Sequence, residues 1–486
     1  MSVLRFSICL LLGISVSRSQ GFQAFLARVY SAPESLRTAI ADSFMTVVPS
    51  FPYVENDTTV HFIYRGSAGS VTVPGDANGW NPVRFPMTRI GGTDFWFYSR
   101  VSESDARLDY KFVLSSGAWI LDPRNPNSVL GGFGPNSELR MPKYPDAPEI
   151  KYYPDIPHGS IRDTTFSSSV LGNSRDIRIY TPPNYESSSD SFGVILFHDG
   201  LEYITLAQAN NVIDYLIWQN RIRPIIAVFV PPVNRTPEYA GNLISQFSSF
   251  IVNELMPYVD SRYRTKRDPT NRAVLGASNG GNISLWLGYN YPNVFGNVAA
   301  QSSYIMSQIS SAFQSSPRLK LKLYLDLGTY DIALLIPLVR DFIPILQSKG
   351  YSFRYHEYHE GHSWGNWRAH IDNAHEFFFS TQPTGVREGR VKPEGYRLNQ
   401  NYPYPFNPST TIKYELALRS LVRLEVFDLL GRKIATLVSE ERPAGSYETE
   451  WQPTVPSGTY FFKLDAVASG DVSKRFTEAK KMLVLK

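Results

Sequence analysis

Between positions 278 and 362 this chain carries a serine, two aspartates and a histidine whose spacing invites chemistry. Gly276-Ala277-Ser278-Asn279-Gly280 fits G-x-S-x-G, the spacing at which a strand enters a helix through a tight turn that lifts the serine hydroxyl above the sheet. The neighbours agree, since Arg272 to Leu275 reads as a strand and the stretch after Gly280 as a helix. A serine hydroxyl is a weak nucleophile until a base takes its proton, and the base must be held in one tautomer by an acid. Asp331 lies just past the predicted strand Lys320 to Leu327, and His362 just past the predicted strand Ser352 to Tyr358. Both therefore fall on loops at strand ends, where catalytic groups of such sheets collect. Asp326 is the competing acid, but it lies within the apolar strand and would be buried, which favours Asp331. Acyl transfer by such a serine also needs two backbone donors for the developing oxyanion. The amide of Asn279 supplies one, and the loop after the strand Val194 to Phe197 should supply the other, with Leu201 the candidate and Gly200 in reserve.

His356, His359 and His362 recur every third residue and raise a metal site as a rival reading. Zinc-protease motifs place two histidines four apart on a helix with a glutamate between, whereas a strand sends His356 and His359 to opposite faces. Neither a metal nor a cofactor is therefore expected. His198, in His198-Asp199-Gly200 at the end of a central strand, reads as architectural.

From His158 to Ser380 apolar runs alternate with helical stretches, which predicts a mostly parallel sheet with helices on both faces. Gly193 to Phe197, Ile225 to Val230, Ala273 to Leu275 and Leu321 to Leu327 are the central strands. Helices are expected over Thr205 to Trp218, Asn242 to Tyr258, Gly280 to Tyr289 and Ala333 to Gln347, the last interrupted by Pro337 and Pro344. The order serine, acid, histidine is that of α/β-hydrolases. Residues 20–51 form an N-terminal segment, and short alternating strands over 52–143, with Val60, Phe62 and Tyr64 on one face, predict a small β-sandwich. A Pro-rich linker, 144–157, leads to the hydrolase domain, 158–380. A second linker, 381–396, precedes an all-β unit, 397–486, whose strands alternate at Ile412, Tyr414 and Leu416 and again at Tyr460, Phe462 and Leu464. The expected fold class is an α/β hydrolase flanked by two small all-β sandwiches.

Composition agrees with a set of globular modules: 43% of residues are hydrophobic, 19% charged and 14% aromatic, which excludes a disordered chain. The net charge of +4, without blocks of like sign, leaves no footprint for a nucleic-acid partner. Arg5, the apolar run Ile8 to Val16 and Ser17-Arg18-Ser19 read as a signal peptide over 1–19. The single cysteine, Cys9, lies within it, so no disulfide or thiolate chemistry is expected afterwards. No later apolar run approaches the length of a membrane span, so no transmembrane segment is expected in the mature chain.

Three resemblances follow from longer motifs. His198-Asp199-Gly200, Arg235-Thr236-Pro237-Glu238-Tyr239, Glu254 to Val259, Gly276 to Gly281, and Gly361-His362-Ser363-Trp364 to Trp367-Arg368 resemble the esterase D and enterochelin esterase family. That likeness implies Ser278, Asp331 and His362 as a triad, with Arg235, Glu238 and Trp364 near the substrate, a structural ion pair being the alternative for Arg235 and Glu238. The chain departs from the family in having Glu360-Gly361 where paired glycines usually precede the histidine. Asp109 to Val113, Trp119 and Asp122-Pro123-Arg124-Asn125-Pro126 resemble the early-set, glycogen-binding-like modules, in which Trp80, Trp96 and Trp119 could stack on sugars or fill the core. Asn401 to Pro408, Asp428-Leu429-Leu430-Gly431-Arg432, Ala444-Gly445, Ser457 to Tyr460 and Lys481 to Leu485 resemble the type A sorting domain of type IX secretion, implying that machinery as a partner. Together these imply a secreted serine carboxylesterase acting on feruloyl or acetyl esters of polysaccharide. The alternatives are a siderophore trilactone esterase, an acyltransferase on the same fold, and a surface carbohydrate-binding protein on an inactive hydrolase scaffold.

Overall fold

Gly193–His198, Ile225–Val230, Arg272–Ala277 and Asn297–Gln301 are buried at every residue, as is most of Lys322–Tyr330. Strands covered on both faces must be apolar throughout, and these form the centre of the molecule. The computed structural model describes residues 21–381, 395–401, 404, 406–442, 445–468 and 474–484. The expected leader, 1–19, and most of the expected linker, 381–396, lie outside the described residues.

The strands belong to one eleven-stranded sheet. Its order is Ser160–Ser168, Asn173–Thr181, Ile225–Val230, Gly193–His198, Arg272–Ala277, Asn297–Gln301, Lys322–Tyr330, Ser352–Gly361, Arg107–Tyr110, Gly134–Arg140 and Ser128–Gly131. From Ile225–Val230 to Ser352–Gly361 every pairing is parallel, with Phe197 opposite Leu275 and Leu275 opposite Ala299. Alternation divides each strand between two cores. Val194 and Leu196 face the helices that carry Phe247, Ile283, Leu287 and Phe342, whereas Ile195 and Phe197 face those that carry Val212, Leu216, Ile371 and Phe378. All five central strands thus end on the same edge of the sheet, where a ligand crevice forms. The helix Leu335–Ser348 runs through both expected interruptions. Pro337 falls in its first turn, where no amide partner is lost, and at Pro344 the burial of Val339, Phe342 and Leu346 holds the helix together.

The region before the hydrolase departs from the expected free-standing sandwich. Thr59–Arg65 pairs with Phe95–Val101, and Val60 and Phe62 enter a core with Val71, Leu108 and Phe112. The opposite face, carrying Ile63, is covered by the helices Phe22–Ser31 and Glu34–Val47 through Phe22, Phe25 and Phe44. Residues 21–51 of the expected N-terminal segment are therefore a layer of this module, which is not all-β. The module is also not separate, because Arg107–Tyr110, Gly134–Arg140 and Ser128–Gly131 extend the hydrolase sheet, with Arg107 paired in parallel to Glu360. The stretch 144–157 is no free linker either: Ala147, Glu149 and Ile156 are buried, and the turn Pro148–Ile150 packs on the helix Ala209–Trp218. Proline-rich composition reads alike whether a chain is solvated or pinned to a surface.

One compact unit runs to Gln382 and a second begins at Pro383. The second is a sandwich of Arg397–Leu398, Thr410–Leu416 and Gly445–Trp451 over Lys433–Arg442, Ser420–Phe427, Gly458–Ala468 and Arg475–Val484. Ile412, Tyr414, Leu416, Phe462 and Leu464 fill its core, the faces that the alternation predicts. Among the described residues no helix is long and apolar enough to cross a membrane. Because the first unit contains its own cores, a chain ending at Gln382 should fold cooperatively. Its melting by circular dichroism should lie within about 4 °C of the corresponding full-chain transition, a shift of roughly 1 kcal/mol or less. A soluble product with no cooperative melt would contradict this.

Candidate active site

Ser278 stands between the strand Arg272–Ala277 and the helix Asn279–Asn290 with φ +58° and ψ −121°, a conformation that L-residues hold only when their surroundings enforce it. The enforcement is visible. A Cβ on Gly276 would stand 2.4 Å from the Gly280 backbone, so only glycine lets strand and helix close on the turn. The Ser278 amide donates to the Gln301 carbonyl at 2.9 Å, and the Ser278 carbonyl accepts from the amides of Gly281 and Tyr304, each at 3.1 Å. Asn279 opens the helix, where first-turn amides have no intrahelical acceptor.

The neighbouring strand Gly193–His198 ends in a second strained residue, Asp199, with φ +53°, followed by the short helix Gly200–Thr205. At Gly200 a Cβ would meet the Val230 amide nitrogen at 2.3 Å. Leu201, the other candidate oxyanion donor, sits in the first turn of this helix. Arg235 donates to both Asp199 oxygens at 2.7 Å and to the Ala277 carbonyl at 3.3 Å, and the Asp199 amide donates to Tyr239 Oη at 3.0 Å. One guanidinium thus joins the loop of the candidate oxyanion donor to the serine turn, with part of its surface still open.

Glu238 corrects the substrate-binding expectation. It is 0% exposed and receives the Arg175 guanidinium at 3.1 and 3.2 Å together with the amides of Val233 and Asn234. A carboxylate so enclosed has no face for a substrate, and its ion-pair partner is Arg175, not Arg235. Trp364 is 9% exposed, edge-on to Tyr203 at 5.1 Å and Trp367 at 4.9 Å, so it can offer a substrate no more than an edge.

On the far side of the crevice, His362 Nδ1 lies 2.7 Å from Asp331 Oδ1, which also accepts the Ile332 amide at 2.7 Å. The Asp331 side chain is buried and the His362 ring partly open, with Trp367 edge-on at 5.0 Å. Ser363 caps the following helix, Trp364–Phe379. The structure therefore brings Asp331 and His362 together directly. Ser278 lies on the same edge; its amide bonds the Gln301 carbonyl, and Gln301 Nε2 donates at 3.1 Å to the carbonyl of Trp367, whose ring meets His362. Asp326 points elsewhere: it is fully buried, accepts Gln301 Nε2 at 3.0 Å, and is pushed up to about 6 by that burial. His359 pairs with Asp105 at 2.7 Å and His356 stacks on Tyr358, so the three histidines do not converge. His198 is buried edge-on to Tyr239. Its burial, with the charge of Arg235, pushes it down to about 3, so the ring is neutral and does not serve as a proton acceptor at neutral pH. Gln301, which ties these elements together, escapes the sequence reading because its strand, Asn297–Gln301, is short and holds two alanines.

Residues 168–378 match the model of the family described as putative esterase. Over 232 residues the chain is 27% identical to the uncharacterized protein YjcH of Bacillus subtilis, covering 45% of this chain and 96% of that one. It is 27% identical over 244 residues to the iron(III) enterobactin esterase of Escherichia coli O6:H1, covering 44% and 60%. It is 25% identical over 213 residues to the endo-1,4-beta-xylanase/feruloyl esterase of Xylanibacter ruminicola, covering 41% and 29%. Among solved structures, the enterobactin esterase FES from Shigella flexneri shares the fold at 21% identity, with a TM-score of 0.58 over 69% of this chain and 97% of that one. That share is wider than the stretch aligned in sequence, so the likeness of fold extends beyond the esterase region. The protein is a carboxylic ester hydrolase with an α/β-hydrolase-like core.

The two aspartates separate experimentally. Between about pH 4 and about pH 6 folded Asp326 keeps a proton that the unfolded chain has released, so stability falls as pH rises through that window. Asp326→Asn should therefore gain in melting temperature relative to wild type from pH 4 to pH 7 while turnover stays within a few-fold. Asp331→Asn should lose turnover by on the order of 10²–10⁴-fold. The reverse pattern in paired melting and rate measurements would move the acid to Asp326.

Proposed function

We propose that the protein is a secreted serine carboxylesterase that works through an acyl-enzyme on Ser278. The observation that carries this reading is the left-handed Ser278 at a strand-to-helix turn, on the same sheet edge as the His362–Asp331 pair. Ser278 Oγ attacks the ester carbonyl carbon as His362 Nε2 takes its proton, and Asp331 stabilises the imidazolium. The amides of Asn279 and Leu201 hold the tetrahedral oxyanion. Collapse expels the alcohol with the proton from His362. Water then repeats the sequence on the acyl-enzyme, releasing the acid and the free serine.

The substrate class is an acyl ester of polysaccharide, feruloyl or acetyl. Support comes from the module, where Trp80 and Trp119 stack at 6.5 Å and 24° with Trp119 43% exposed, a pair able to receive a sugar face. Trp96, by contrast, is core. The feruloyl esterase relative points the same way. A siderophore trilactone is the second reading, favoured by the likeness of fold to an enterobactin esterase beyond the esterase region. For export, the reading rests on the order of the C-terminal motifs. The turn Asp428 to Arg432, between Ser420–Phe427 and Lys433–Arg442, holds Leu429 and Leu430 out in solvent, an apolar tip that type IX secretion machinery could engage.

Ser278→Ala and His362→Ala should each reduce turnover of p-nitrophenyl acetate by about 10³-fold or more, and a fluorophosphonate should label wild type but not Ser278→Ala. Methyl ferulate and acetylated xylan should be hydrolysed faster than enterobactin. Labelling that survives Ser278→Ala would remove the nucleophile, and a preference for the trilactone would replace the polysaccharide reading.

A further inference from the structure

The serine turn and the oxyanion loop are held by groups of the hydrolase itself: Gln301, Arg235 and Tyr239. The loops that carry the acid and the base are held from the N-terminal module. Tyr330, the residue before Asp331, donates its hydroxyl to Glu103 at 2.6 Å and accepts from Arg100 Nη2 at 3.1 Å, with the Arg100 guanidinium 5.3 Å from the ring centre. Gly361, the residue before His362, is closed in by Asp76, whose carboxyl carbon would stand 2.0 Å from a Cβ there. Ser363, the residue after His362, accepts from Arg107 Nη1 at 3.2 Å, and the same guanidinium lies against Gly365.

These groups are themselves fixed. Arg107 is 1% exposed and donates to Glu138 at 2.5 Å and Asp109 at 2.7 Å. Asp76 accepts the Asp109 amide at 2.8 Å and Trp80 Nε1 at 3.0 Å. The backbone pairing of Arg107 with Glu360 then sets the module's register against the strand that leads into His362.

We infer that Asp76, Arg100, Glu103 and Arg107 of the N-terminal module are positioning residues for the Asp331–His362 pair, so that the module is a working part of the esterase active site. The inference rests on the triad reading above. The module clamps both neighbours of His362 and the neighbour of Asp331, through the hydroxyls of Tyr330 and Ser363 and the close approach of Asp76 to Gly361, each one residue from the group that must be aimed. A histidine displaced by about 1 Å from its productive position costs on the order of 10²-fold in rate. Hydrogen bonds that hold these loops therefore act on turnover while leaving substrate affinity nearly unchanged.

Tyr330→Phe removes both hydrogen bonds of its clamp, Ser363→Ala removes the acceptor of Arg107 Nη1 together with the helix cap, and Ser363→Thr retains a hydroxyl able to serve as both. Melting temperature and circular dichroism identify folded variants. On p-nitrophenyl acetate, Tyr330→Phe and Ser363→Ala should lose kcat by roughly 5- to 50-fold, a fraction of the displacement cost, with KM within about two-fold, and the double variant should lose more. Ser363→Thr should recover most of the rate. A proton NMR spectrum should show the low-field Nδ1–H of His362 shifted or broadened in the impaired variants, a change that general destabilisation elsewhere would not produce. Folded variants with kcat within about two-fold of wild type and an unmoved low-field proton would overturn the inference and leave the module a purely structural neighbour. Ser278→Ala with full turnover would instead remove the triad reading, and the inference with it.

Discussion

A single buried guanidinium, Arg107, sits at the junction where the N-terminal module meets the hydrolase sheet. Arg107 is enclosed where the module's strand meets the hydrolase sheet, and a buried charge is tolerated only when its donors are matched by acceptors. Glu138, Asp109 and Ser363 supply them directly, with Glu360 at 3.8 Å. Glu360 in turn receives His370 at 2.6 Å and Tyr144 at 3.2 Å. Burial works against a charge on His370, yet Glu360 holds its proton above the ordinary histidine range. Asp76 shows the opposite balance, pushed up to about 8 by burial and then by the charge of Asp109. The junction is therefore an ionic lattice in which each member depends on its neighbours, set next to the loop of the proposed base.

Backbone strain is also built into the strand ends of the hydrolase sheet. Asp199, Ser278 and Ser302 all have positive φ at the ends of three neighbouring strands. Such conformations cost on the order of 1–3 kcal/mol each, and here each is offset by specific bonds. Asp199 has Arg235 and Tyr239, Ser278 has Gln301 and Tyr304, and the Ser302 amide donates to the Asp326 carbonyl at 3.0 Å. These bonds tie each strained strand end to a different element, a neighbouring strand for Ser278 and Ser302 and the helix Arg235–Ala240 for Asp199.

What could be read from sequence was local. The turn at Ser278 is specified by glycines within two residues of it, and the choice of Asp331 over Asp326 follows from where an apolar strand stops. The Arg235 and Glu238 motif misleads because the true partners, Asp199 and Arg175, lie far away in the chain. The helices Phe22–Ser31 and Glu34–Val47 were recoverable, since Phe22, Phe25 and Val29 mark one helical face. The union of module and hydrolase was not, because two strands join edge to edge through backbone groups that leave no side-chain pattern. The Asp331 and His362 contact was legible as a pair of loops, but the groups that clamp those loops carry no motif.

The junction also constrains how the chain reaches its native state. Arg107 and Ser363 are 256 residues apart in sequence, so during synthesis the module emerges long before the strand that completes its edge. Gly134–Arg140 soon covers one side of Arg107–Tyr110, and on the other side Gly75 bridges Tyr110 and Asp76 takes the Asp109 amide, but the Arg107 end of that side stays unpaired until Ser352–Gly361 arrives. Unpaired edges recruit other chains, and contacts of long sequence separation form slowly. Nascent and refolding protein should therefore be most vulnerable to intermolecular association in the interval before the hydrolase sheet closes on the module.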